Sequence, residues 1–363
     1  MNTCWGRIAA TCKITVIDTT QIFKEKLMEQ RPMKTPADSK SYIAEIVGEE
    51  SRFGQRMDAG SLLHMMDLVA ATAAWKHTGC HVVTLAFDRV ELLNIICHMD
   101  YVRYDACVIK VGRSSLVVRV DGFSKPPTEM ELQATHSGVI TMVAVDENKR
   151  PNRDIPGMNY QSEEDLANKF YAEQRDEKLA QNKIALTRID QLDEIGMDQL
   201  KDLFPRQRRY TPSQTELITR KLFLPRHVNA LGNIFGGEII ELMEELAIAN
   251  ARQFTGNFNV VTIAMEDVLF LKPIQLDHLV EMKSVVTFVG KTTLTIEVSV
   301  RALDGFHPEN GYITNNGIFT ILNYDRSGQK KFIKTGLDLQ TATLAQKKVY
   351  LRELFKYQQN SRA

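Results

Sequence analysis

The residue types that could do chemistry in this chain gather in one stretch, from Asn229 to Glu244. Gly236 and Gly237 permit a tight, uncrowded turn into an apolar helix. The first turn of a helix presents unsatisfied backbone N–H groups and the positive end of the peptide dipole, a natural seat for a developing negative charge. Ile240, Met243, Ala247 and Ala251 recur at steps of three and four, so one stripe of the helix faces a core. Glu244 intrudes on that stripe. A carboxylate with Ile240, Ala247 and Ile248 as its neighbours is costly unless it has a partner or a task. Asn229 alone would be an ordinary turn or N-cap residue, and the glycine pair alone an ordinary helix start. Their conjunction is the signal.

A second copy of the stretch lies upstream. Ala59-Gly60-Ser61-Leu62-Leu63-His64-Met65-Met66-Asp67 aligns with Gly236-Gly237-Glu238-Ile239-Ile240-Glu241-Leu242-Met243-Glu244, which puts Asp67 where Glu244 stands. The copies continue in step. Thr78-Gly79 matches Thr255-Gly256, Val82-Val83-Thr84 matches Val260-Val261-Thr262, and Val111-Gly112-Arg113-Ser114-Ser115-Leu116 matches Val289-Gly290-Lys291-Thr292-Thr293-Leu294. Each copy has the length of a domain rather than of a solenoid repeat, so the chain carries a duplicated domain.

The remaining composition fits that reading. A chain of 363 residues with 44% hydrophobic and 25% charged residues is an ordinary globular protein with room for two cores. Lys and Arg balance Asp and Glu at 45 each, without the basic excess of a nucleic-acid binder. No apolar run approaches the ~20 residues of a membrane span. Five scattered cysteines without a CxxC pair read as reduced thiols. The histidines share no metal-ligand spacing, so no metal or cofactor site is expected.

Elements are placed by periodicity and punctuation. Residues 1–40 form an N-terminal extension; its first seventeen residues contain Arg7 and Lys13 and no acid, weakly like a mitochondrial targeting segment, and residues 21–40 read as a short helix running into a linker. The first domain spans 41–150, with a strand near Tyr42–Val47, a helix from Gly60 to His77, and strands at Val82–Phe87, Tyr104–Val111, Leu116–Asp121 and Gly138–Val145. Residues 151–210 are a charged linker, with a solvated helix from Glu163 to Ile184 bearing a sparse stripe of Leu166, Phe170 and Leu179. The second domain spans 211–326 and repeats the pattern, with strands at Val260–Met265, Val280–Val289, Thr293–Ala302 and Gly317–Asn323. Residues 327–363 end in a helical tail.

Taken together, Asn-x-x-Gly-x-x-Phe-Gly-Gly, an acid seven residues after the last glycine, Lys272-Pro273-Ile274 and Gly290-Lys291-Thr292-Thr293 resemble the acyl-coenzyme A thioesterases of the hotdog superfamily. With Arg52-Phe53-Gly54 ahead of the first helix, the two-domain arrangement is most similar to the mitochondrial acyl-coenzyme A thioesterase 9 type. The resemblance implies an α+β fold: tandem hotdog domains, each a long helix wrapped by a curved antiparallel sheet, joined as an internal pseudo-dimer. It also implies an acyl-CoA substrate, with coenzyme A present only as part of substrate and product, a homo-oligomer (a trimer of double hotdogs), and a mitochondrial matrix location, failing which a cytoplasmic one.

In such enzymes a helix N-terminus and an asparagine polarise the thioester carbonyl, while a carboxylate from the partner domain acts as base or nucleophile. Asn229 and the Gly237 amide fit the donor role, and Asp67 the carboxylate role. The other pairing is Glu244 with Arg52, which occupies the position of Asn229; that is an ion pair more suited to structure than to catalysis. Glu245 replaces Glu244 if the helix phase is off by one, and His227 is close enough in sequence to line the site. The turns holding Arg113 and Lys291-Thr292 read as hairpins whose basic residues could meet a coenzyme A phosphate. Two rivals remain. A hotdog hydratase or dehydratase would need a catalytic histidine, for which His64 is the only one near either acid, and a non-catalytic acyl-CoA binder would keep the groove and dispense with the carboxylate–amide pair.

Overall fold

A computed structural model describes residues 31–48, 51–52, 56–200, 202–304 and 310–360, without the side chains of residues 51, 52 and 360. The expected targeting segment, most of the helix expected over 21–40, and the side chain of Arg52 lie outside the described residues.

The first repeat consists of β1 (Ser41–Ile46), α1 (Ala59–Thr78), β2 (Val82–Phe87), β3 (Val90–Leu92), β4 (Tyr101–Val111), β5 (Ser115–Lys125) and β6 (Gln133–Ala144). A connecting helix, α2 (Glu163–Asp190), precedes the second repeat: β7 (Leu217–Leu222), α3 (Gly236–Thr255), β8 (Val260–Phe270), β9 (Leu279–Val289), β10 (Thr293–Leu303) and β11 (Tyr312–Asn323). The chain then ends in α4 (Leu344–Asn360). No helix among the described residues is long and apolar enough to cross a membrane.

One antiparallel sheet runs through both repeats in the order β7-β9-β10-β11-β8-β2-β6-β5-β4-β1, with β3 beside β8 and β6. Read outward from its middle, the order is the same in both directions. The halves join where Val268 and Leu269 of β8 pair with Phe87 and Ala86 of β2. Each long helix lies on its own half of the sheet, and the two pack against each other. The repeat is visible in single contacts: a Cβ on Gly138 would stand 3.0 Å from Met66 Cε, and one on Gly317 would stand 2.9 Å from Met243 Cε. The fold is α+β, two hotdog domains in one chain.

Both helices end alike. Gly79 (φ 72°) and Gly256 (φ 60°) take the left-handed conformation that closes a helix at little steric cost. Just before them, Thr78 and Thr255 donate to the carbonyls of Ala74 and Ala251 at 2.9 and 2.7 Å. The predicted hairpins are also present: Gly112 N–H donates to Ser115 O at 2.7 Å between β4 and β5, and Gly290 N–H to Thr293 O at 2.8 Å between β9 and β10.

Helix α2 begins at Glu163 and is largely solvated, as the sequence reading has it, but its docking face is not the apolar stripe. Leu166 and Phe170 remain 54% and 61% exposed, while Ala172 is buried against Ile109, Val117 and Val139 on the outer face of the first half-sheet. A small residue permits the close approach, and charge fixes it. Arg175 pairs with Asp88 and Asp176, and donates to Thr141 Oγ1 at 3.2 Å; Lys110 pairs with Asp176. Helix α4 packs beside β9. The rings of Tyr350 and Tyr357 lie tilted against Phe288, and Lys356 reaches Asp267 at 2.6 Å and Glu266 at 3.3 Å.

Candidate active site

Asp67 lies on the buried face of α1, with no solvent exposure. Its Oδ1 accepts a hydrogen bond from Thr84 Oγ1 of β2 at 2.7 Å. Its Oδ2 has no partner in full hydrogen-bond geometry and faces the start of α3 in the other repeat, where a Cβ on Gly236 would stand 2.9 Å away. Burial pushes the carboxyl up to about 6, against the Thr84 hydroxyl, the nearby His64 and the Gly237 amide, which all favour the charged form. A carboxyl poised there is mostly ionised near neutral pH and more basic than a free carboxylate, as a general base requires.

The two glycines of α3 are explained by close approach. A side chain on Gly236 would meet Asp67 and Phe270, and one on Gly237 would come within 3.0 Å of His64 Cα. The N-cap residue, Phe235, offers no side-chain hydrogen bond to the first turn. No N-cap side chain therefore occupies the leading N–H groups, of which the Gly237 amide faces Asp67, with the dipole behind them.

Asn229 is held by its acceptor side. Its Oδ1 takes the N–H groups of Leu231 at 2.9 Å and Asn233 at 3.2 Å, which fixes a turn and leaves Nδ2 as the spare donor. Asn229, Gly236 and Thr84 line one cleft of about 640 Å³ between the repeats. Leu68, Ala71 and Trp75 of α1 form one wall, and Phe270 to Gln275 form another. The structure thus brings Asp67 of one repeat to Gly236 and Gly237 of the other, beside the cleft that Asn229 lines.

The opposite combination is built differently. Glu244 is buried and accepts from Thr262 Oγ1 at 2.6 Å, as Asp67 does from Thr84. The start of α1 that faces this half has Asp58 where α3 has Phe235, and Ala59 where α3 has Gly236. A carboxylate at the N-cap opposes a second negative charge, and a methyl group occupies the place that Gly236 leaves to a carboxylate oxygen. Glu245 is exposed, so the helix phase turns Glu244 inward.

At the crossing of the two helices His64 meets Glu241, its counterpart in the repeat, with Nδ1 to Oε2 at 3.5 Å. Ser61 Oγ donates to Glu241 Oε1 at 3.1 Å. Burial pulls the His64 pKa down, but Glu241, with the charges of Glu238 and Asp67, outweighs it and leaves it raised. His227 is a structural residue: its Nδ1 accepts the N–H of Leu224 at 2.9 Å, and it does not line the cleft. Lys291, Thr292 and Arg113 do not line it either. Lys291 and Thr292 sit in the β9–β10 turn, where Lys291 is exposed and its N–H donates to the Tyr357 hydroxyl of α4 at 3.4 Å. The residue that sequence reasoning missed is Thr84. Its signal was the aligned Val82-Val83-Thr84 and Val260-Val261-Thr262, since each threonine holds the acid of its own repeat.

The sequence profile of the thioesterase superfamily matches this chain over residues 59–131 and 231–305, one segment in each repeat. An uncharacterized acyl-CoA thioester hydrolase of Zymomonas mobilis is 36% identical over 104 residues, covering 29% of this chain and 69% of its own length. Acyl-coenzyme A thioesterase 11 of Mus musculus is 25% identical over 277 residues, covering 75% of this chain and 45% of its own length. Among solved structures, one provisionally described as an oleoyl thioesterase of Lactobacillus plantarum superposes with a TM-score of 0.50 at 8% identity, over 79% of this chain and 97% of that one. That likeness speaks to the fold alone.

Proposed function

This chain belongs to the thioesterase superfamily as a tandem-hotdog acyl-CoA thioester hydrolase, and we propose that it hydrolyses its substrate at a single composite site made of Asp67 from the first repeat and Asn229 with Gly237 from the second. The thioester carbonyl oxygen lies between the Asn229 amide and the Gly237 N–H. Asp67 takes a proton from water as the water oxygen attacks the carbonyl carbon, or its own carboxylate attacks that carbon to form a mixed anhydride that water then hydrolyses. Collapse of the tetrahedral intermediate breaks the C–S bond, the leaving coenzyme A thiolate takes up the proton released by water, and the free acid departs with Asp67 regenerated. Each donor aimed at the developing oxyanion contributes about 3–4 kcal/mol to the transition state. The observation carrying this reading is that Oδ2 of a buried carboxyl in one repeat, with its pKa raised to about 6, faces the helix N-terminus of the other.

Fatty acyl-CoA is the substrate class we favour, because the α1 wall of the cleft is largely apolar. A hydratase is disfavoured by the engagement of His64 with Glu241, and a pure binder by the poised carboxyl. Release of free thiol from acyl-CoA, followed with a thiol reagent alongside the liberated fatty acid, decides among the three. Equal amounts of thiol and acid are expected; a hydrated acyl-CoA, or binding without turnover, would contradict the proposal.

We further propose the mitochondrial thioesterase 9 type, a matrix location and assembly into a trimer. Their supports are Arg52-Phe53-Gly54, the basic acid-free opening of the sequence, and the family kinship, respectively. Fusion of residues 1–40 to a fluorescent protein tests the location, and a light-scattering mass of one chain would refute the assembly.

A further inference from the structure

The cleft wall is unbalanced in charge. The chain as a whole is neutral, with 45 basic and 45 acidic residues, yet the residues lining the cleft include Lys149 and Lys272 and no aspartate or glutamate. Both lysines are exposed, and neither meets a carboxylate among the described residues; the Lys272 ammonium rests over the Tyr312 ring, 4.8 Å from its centre.

Lys149 is also held in an unusual conformation. Its φ is 61°, in the left-handed region that lysine rarely adopts. The turn that imposes it is built twice. Asp146 Oδ1 accepts from the N–H groups of Asn148 and Arg150 at 2.9 and 2.8 Å, and Asp325 Oδ1 from those of Ser327 and Gln329 at 2.8 and 3.0 Å. In the second copy the left-handed position is filled by Gly328, at φ 84°. Glycine is the natural occupant. Lysine stands there only in the copy that borders the cleft. Strain kept at one of two equivalent turns, where that turn meets a site, points to a task for the side chain.

The position of the turn indicates what that task is. Val145 N–H donates to His81 O at 2.9 Å, which ties the turn to the segment leaving the C-terminal end of α1. Trp75, near that end, is eight residues beyond Asp67, about 12 Å along the helix axis. The Lys149 end of the cleft is therefore set back from the carboxyl by about 12 Å along α1, a distance that a pantetheine arm can span. We propose that Lys149, at the end of the cleft remote from the scissile thioester, receives the phosphate groups of the coenzyme A carrier, with Lys272 on the opposite repeat as the second cation of the cleft wall; the proposal rests on the hydrolase reading above.

The test is Lys149→Gly, which removes the charge and installs the residue the same turn already uses at Gly328. One acyl group is presented on coenzyme A and on N-acetylcysteamine, which has no phosphates. For the coenzyme A thioester KM should rise about 5–10-fold with kcat within twofold, while the N-acetylcysteamine thioester keeps its KM and the melting temperature holds or rises. Lys149→Gly with Lys272→Ala should raise KM further and flatten its dependence on salt. A KM for the coenzyme A thioester within twofold of wild type, or one rising equally for both carriers, would overturn the proposal. Calorimetry with free coenzyme A separates it from its premise. Binding that weakens in Lys149→Gly without any thioester turnover would discard the hydrolase reading and keep the phosphate site; turnover with unchanged binding would discard the phosphate site alone.

Discussion

The acid of the composite site is raised by burial to about 6. The base form is then available only above that pH, so kcat/KM should climb with pH through an apparent pKa of about 6 and level off. Stability runs the other way. A carboxyl whose folded pKa lies above its unfolded value holds a proton in the native state that the unfolded chain has released, so its contribution is present below about 4 and is lost as pH rises from about 4 to 6. Thr84→Val should lower kcat about tenfold and move the activity limb to higher pH, because the hydroxyl donates to the charged form; a pH–rate profile with an unmoved limb would show that Thr84 does not tune Asp67. At this scale the sequence was legible through repetition. Asp67 in isolation is one acid in a helix, and only its alignment with Glu244 singled it out. Thr84 was in the same alignment, yet a hydroxyl in a strand is so ordinary that its hydrogen bond to Asp67 emerged only in three dimensions.

The elements bring these groups together by packing two helices at very short range. Gly60 and Gly237 stand where the helices cross, and side chains there would come within 3.1 Å of Glu241 and 3.0 Å of His64. Gly237→Ala should therefore force α1 and α3 apart, costing about 1–3 kcal/mol in stability and lowering kcat more than tenfold by drawing Asp67 away from the α3 N-terminus. Thermal melts beside steady-state kinetics check this, and a stable variant with full kcat would show that the helix spacing does not set the site. Helices α1 and α3 and the hairpins were legible because their periods and terminal glycines are strong local signals. Strand β3 was not, being three residues that complete the junction between the half-sheets. The docking face of α2 was not either, since it is built from Ala172 and Arg175 and leaves the larger apolar residues outside.

The whole molecule is a dimer written as one chain, whose two halves have diverged. The internal symmetry is plain in the sheet order and in the pairs Asp67–Thr84 and Glu244–Thr262. It is broken where chemistry would occur: Asn229 against Arg52, Phe235 against Asp58, Gly236 against Ala59. Neither repeat holds both the carboxyl and the amide of the proposed site, so separately expressed halves should be inactive and regain activity only when mixed; turnover by an isolated half would refute a composite site. The asymmetry itself was legible in the substitutions at aligned positions, whereas the location of the lysines on the cleft wall was not, because loops far apart in sequence supply them. The most direct test of a single working site compares Asp67→Asn with Glu244→Gln in one acyl-CoA hydrolysis assay, with melting temperatures recorded for both. Asp67→Asn should lower kcat by about 10²–10³ or more with little change in KM, and Glu244→Gln should stay within about threefold of wild type. Equal losses of kcat in two equally stable variants would contradict the account and place catalysis at the other site or at both.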